Sequence, residues 1–214
     1  MWVEDNDADP CLIIGGCETV VDNGWIDKPD ADIIGVNISA SAGKLTTIIG
    51  SEALHNETSG DDTIFIYIGA PAGFGIGMGG GASMSTYYGT ADNIGDDNLN
   101  YSGMFTVLNV TAVDTVGGSA SYSYYPLDNP LNPTRPHSTT TGPAIGQQLS
   151  ANIVLVEYVP IATRHKDGSI EINIDDYLFN QKYGNNRRGI VGLSFKYTPT
   201  GAILNNIWRY THER

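Results

Sequence analysis

Residues 63–69, Thr-Ile-Phe-Ile-Tyr-Ile-Gly, alternate with a period of two. Ile64, Ile66 and Ile68 fall on one face, Phe65 and Tyr67 on the other. That period, carried by β-branched and aromatic side chains, belongs to a strand and not to a helix. It recurs along the chain: residues 32–42 put Ile34, Val36 and Ile38 on one face, and residues 189–197 do the same with Val191, Leu193, Phe195 and Tyr197. Gly, Pro, Asn, Asp, Ser and Thr supply 102 of the 214 residues, whereas Lys, Glu and Gln supply 15. A chain so rich in turn formers and so poor in helix formers excludes a helix bundle. Its 41% apolar content is too high for a disordered chain. No apolar run is long enough to predict a membrane-spanning helix.

Strands are expected at 32–42, 44–50, 63–69, 103–114, 118–125, 149–163, 169–175, 189–197 and 202–210. A turn across residues 114–117 is expected to make a hairpin of 103–114 and 118–125, and Asp167-Gly168 a second hairpin turn. Ser51 is expected to cap a single turn reaching His55. Residues 87–101, with Tyr87, Tyr88 and Tyr101, read as loop, as do 126–148 with five prolines; Ile170, Ile172 and Ile174 are expected to point inward, and 176–183 to form a short helix. Close turn spacing and eight or nine strands predict an all-β fold, an antiparallel β-sandwich of jelly-roll type. The expected organisation is an N-terminal arm, 1–31, and one sandwich domain, 32–214.

Gly73, Gly75, Gly77 and Gly79 alternate with Phe74, Ile76 and Met78, so one face of that segment is apolar and the other is bare backbone open to close approach. Gly75-x-Gly77-x-x-Gly80 has the form of a dinucleotide fingerprint, but no helix follows to present its amides to phosphate.

The net charge of −13 is divided unevenly. Residues 1–134 hold 18 acids and the two bases Lys28 and Lys44; residues 135–214 hold six acids and nine bases. The first part repels nucleic acid and anionic membranes, and the two parts suit an acid-to-base contact between copies.

Catalytic and metal-binding patterns are sparse. His55, His137, His165 and His212 are far apart, and the carboxylate pairs Asp61/Asp62, Asp96/Asp97 and Asp175/Asp176 are sequence neighbours that point to opposite faces of a strand. Glu157, inside an apolar strand, is the candidate acid of a hydrolase, or else faces solvent or pairs with Arg164 or Arg209. Asp5, Asp7 and Asp9 open like a calcium loop, but Pro10 and Gly16 replace the required glycine and glutamate. Cys11 and Cys17 lack the further ligands of a zinc site. No cofactor and no metal are expected, and the N-terminus has no signal-peptide pattern.

These features predict a non-enzymatic assembly protein, a virus or phage virion component (capsid, decoration or tail) made in the host cytoplasm. Its partners are copies of itself and other virion proteins, with no membrane contact. The expected interface residues are Trp2, Phe74, Ile76, Met78, Tyr122, Tyr124, Arg187 and Arg188, and the two arginines offer the only, indirect, route to nucleic acid. The alternatives are a carbohydrate- or cell-surface-binding sandwich, with Tyr122 and Tyr124 as stacking platform, and a β-sandwich hydrolase.

Overall fold

The computed structural model describes residues 29–42, 45–69 and 80–174. They are almost entirely antiparallel sheet: β1 (Ala31–Ala42), β2 (Leu45–Asn56), β3 (Asp62–Gly69), β4 (Gly80–Asp92), β5 (Gly103–Tyr124), β6 (His137–Arg164) and β7 (Ile170–Ile172), with one 3-10 turn at Asn98–Tyr101. The described strands make one seven-stranded sheet, in the order β3-β2-β1-β4-β6-β5, with β7 on β6. The expected strands at 189–197 and 202–210 and the helix at 176–183 lie outside the described residues.

The sheet closes on itself, because β3 and β4 both pair with β6. β4 takes its first part, up to Gln148, and β3 its last part, from Val156. Every pairing is antiparallel, so the three steps from β4 through β1 and β2 to β3 leave β3 running opposite to β4. Both run opposite to β6 where they touch it. β6 must therefore turn back on itself between Gln148 and Val156. Strand length demands the same: 28 residues would span roughly 90 Å if straight, far beyond a small domain. β5 pairs with β6 from Gly103↔Tyr158 to Tyr124↔His137, so the hairpin bends as a unit.

Several boundaries differ from the sequence reading. Residues 114–117 do not turn a hairpin; β5 continues unbroken through them, with a kink at Thr115, whose φ is 74°. The long β6 partner absorbs the kink, because Gly146 opposite Thr115 also has positive φ, 131°. Ser51 caps no turn, since β2 continues to Asn56. Residues 87–92 belong to β4, and β6 starts at His137, which shortens the expected 126–148 loop to 125–136. The turn at Asp167-Gly168 forms, with Gly168 at φ 87° and its N–H bonded to the His165 carbonyl. Ile170 and Ile172 point outward on β7, while Ile174 packs with Val159, Leu99 and Ile161 in a small second cluster.

The main core fills one end of the closed sheet. Tyr101, Phe105 and Tyr158 pack with ring centroids 4.9–5.3 Å apart, beside Phe65, Leu54, Ile33 and Val156. The Tyr101 hydroxyl is satisfied by Ser138 Oγ at 2.6 Å. The other end is lined by polar side chains. Gln148 Oε1 accepts from Ser39 at 2.7 Å and Ser83 at 2.6 Å, and its Nε2 donates to Ser150 at 3.0 Å. This network ties β1, β4 and β6 together beside Ile48 and Val113, the register neighbours of Ser39 and Gln148, and a buried amide so satisfied is inexpensive.

Candidate functional site

The strands bury one face and expose the other, and the exposed face is apolar. In register, Ile68, Ile49, Ile38, Met84, Ile145 and Val116 form one row across β3, β2, β1, β4, β6 and β5. All six are exposed, Val116 at 70%. A second row runs Ile64, Ala53, Ile34 and Tyr88. Val36, Ile66, Val110, Leu149, Ile153 and Leu155 are exposed as well, so much of the outer face is apolar. The polar residues on this face are mainly short ones, such as Ser51, Thr86 and Thr141. Its charged groups include Asp114, opposite Gln147, and Asp62, which pairs with Arg164 and with His55 at 2.7 Å; nearby, His165 pairs with Asp61 at 3.0 Å.

A groove of about 810 Å³ crosses the long row. It is shallow and open, and its lining joins Ile38, Met84 and Ile145 with Ser83, Gln147 and three positions of positive φ, Gly81, Gly146 and Thr115. At Gly146 a Cβ would lie 2.4 Å from the Ala82 carbonyl oxygen, so the strands approach this closely only because the position is glycine.

At the other end of β5 and β6, loop 125–136 is built around Asp128. Its carboxylate accepts from the N–H of Thr134 at 2.7 Å, of Arg135 at 3.0 Å and of Asn129 at 3.0 Å. Partial desolvation raises the Asp128 pKa, but these donors outweigh it and hold the carboxyl below its ordinary range. Asn129 Oδ1 accepts from the Leu131 N–H, and the Arg135 guanidinium lies 4.5 Å from the centre of the Tyr125 ring. This framework displays Leu127 and Leu131 at 92% and 93% exposure. Sequence reasoning missed both leucines; the signal was the repeated Pro-Leu pair at 126–127 and 130–131.

Inside the sheet lies a buried carboxylate that the sequence did not single out. Glu52 is 3% exposed, and burial pushes its pKa up to about 8, although the Tyr87 hydroxyl bonded to it acts the other way. That hydroxyl also stands 3.0 Å from the Tyr67 hydroxyl, and burial pushes both phenols up. Glu157, the candidate acid of the hydrolase alternative, is buried in register with Met104 and Ile68; Arg164 bonds Asp62.

Of the expected interface residues, Tyr122 and Tyr124 lie on β5 and stack on each other, centroids 5.7 Å apart, with His137 against Tyr122. Trp2, Phe74, Ile76, Met78, Arg187 and Arg188 lie outside the described residues, as do the calcium-like arm and both cysteines. Among the described residues no helix is long and apolar enough to cross a membrane, and no cluster of three metal-ligating side chains occurs. Compared with protein-family models, curated proteins and solved structures, the chain matches none.

Proposed function

We propose that the protein is a non-enzymatic structural component that assembles with copies of itself, in the setting of a virus or phage particle. The observation that carries this reading is the exposed row from Ile68 to Val116. Exposed apolar side chains aligned in register across neighbouring strands are the kind of surface that a contact between proteins covers. The short polar residues among the apolar ones suit a protein neighbour with its own hydrogen-bonding groups. The virion setting rests on the Gly- and Tyr-rich strands, the Pro/Thr-rich loop region and the divided charge of the sequence. In the same reading the bent β5–β6 hairpin folds the sheet into two facing layers, a sandwich of jelly-roll type. Arg187 and Arg188 are assigned to an acidic neighbour or, indirectly, to packaged nucleic acid.

The test is light scattering on a sizing column over a range of concentration, at low and moderate salt. The wild type is expected to run above its 22.9 kDa monomer mass. Ile38→Lys, which places a charge in the middle of the row, is expected to return it to monomer with the fold intact. A wild type that stays monomeric throughout, and fails to join any particle, overturns the reading.

A further inference from the structure

We infer that loop 125–136 of one copy seats Leu127 and Leu131 in the outer-face groove of the next copy, joining copies head to tail. This rests on the assembly reading and names its contact. Two leucines held almost fully in water gain when a partner covers them, since burying a leucine side chain is worth about 2 kcal/mol. The loop that holds them is already ordered by Asp128 and Asn129 and by the prolines at 126, 130, 133 and 136, so docking loses little chain entropy. The groove is the complementary feature: about 810 Å³, lined by Ile38, Met84 and Ile145, with no charged side chain in its lining. Shallow and open, it lets a loop tip lay two apolar side chains across Ile38, Met84 and Ile145.

The two features cannot satisfy each other within one chain. The loop leaves β6 at His137, and the groove lies at Gly146. Nine residues of strand separate them, roughly 30 Å. Knob and groove on different parts of one molecule make a heterologous contact, which repeats into rings or filaments. Ile49 and Val116, the register neighbours of Ile38 and Ile145, add exposed apolar contact beside the groove.

The experiment is a complementation. One variant carries Leu127→Asp and Leu131→Asp and keeps its groove; the other carries Met84→Asp and keeps its loop. All three leave exposed positions, so circular dichroism and the thermal midpoint should match the wild type. Each variant alone is expected to be monomeric by light scattering. An equimolar mixture, with one intact knob and one intact groove, is expected to form a dimer and nothing larger. If the loop variant assembles like the wild type, this contact is overturned and the assembly reading stands. If both variants are monomeric and their mixture stays monomeric, the loop and groove do not meet and the inference is again overturned. A wild type that never assembles removes both.

Discussion

Tyr87 on β4 donates a 2.9 Å hydrogen bond to Glu52 on β2 by passing over Gly35 of β1, the strand between them. The three residues share one row, Glu52↔Gly35↔Tyr87. The next inner row repeats the device from the other side: Tyr67 on β3 lies over Gly50 of β2. The two tyrosines converge, hydroxyl to hydroxyl, beside one carboxyl group. Gly35 and Gly50 are the vacancies that let two large rings lie flat on a sheet.

Glu52 makes stability fall as pH rises. Its ordinary pKa is 4.5 and its folded value about 8. Below 4.5 both folded and unfolded chains hold the proton, and it has no effect. Between 4.5 and 8 the folded chain keeps a proton that the unfolded chain releases, so each pH unit costs about 1.4 kcal/mol. Glu52→Gln keeps an acceptor for Tyr87 and removes the titration. Urea midpoints at pH 5 and pH 8 should differ clearly for the wild type and much less for Glu52→Gln, with the variant the more stable at pH 8. Equal slopes in both proteins would show that Glu52 is ionised at little cost.

Gly35→Ala should destabilise the fold by about 2–3 kcal/mol. The new Cβ would lie 2.3 Å from Cζ of Tyr87, so the ring must leave its place and break the bond to Glu52. A shifted tyrosine near-ultraviolet spectrum should accompany the lower denaturation midpoint. An unchanged midpoint would mean that β1 yields instead.

Gln148→Leu should cost about 2 kcal/mol or more, because Ser39 and Ser83 lose the acceptor they share. Adding Ser39→Ala and Ser83→Ala should recover part of that loss, since the buried hydroxyls are then gone. Chemical denaturation of the single and triple variants measures both effects. A triple variant less stable than Gln148→Leu would show that the 3.1 Å bond between the Ser39 and Ser83 hydroxyls satisfies them without Gln148.

Asp62→Asn should matter little, less than about 1 kcal/mol, although Asp62 meets both Arg164 and His55. Desolvation raises its pKa, but the bonds to His55 and Arg164 outweigh it and hold the carboxyl below its ordinary value. The small stabilisation is present above the ordinary carboxylate range and is lost as pH falls through the depressed value. Solvent screens such a pair. A thermal midpoint displaced by many degrees at pH 7 would contradict this.

The sequence by itself determined the sheet. Alternation at Ile64 to Ile68 and the shortage of helix formers leave no other regular structure, and β3 lies where the pattern placed it. The turn at Asp167-Gly168 was equally legible, because its chemistry is local. Strand continuity was not: Asp114 to Gly117 has the composition of a turn, yet pairing with residues 144–147 carries β5 through unbroken. Nor was the choice of face. β1 offers Ile33 to one side and Ile34, Val36 and Ile38 to the other, and a period of two does not say which is inside. Tertiary structure decided it, because Tyr87 fits only over Gly35 and the Gln148 network satisfies Ser39 and Ser83 only on the enclosed side. The larger isoleucine face was thereby turned outward, and with it the groove, whose lining is assembled from β1, β4, β5 and β6 and exists only once they are paired.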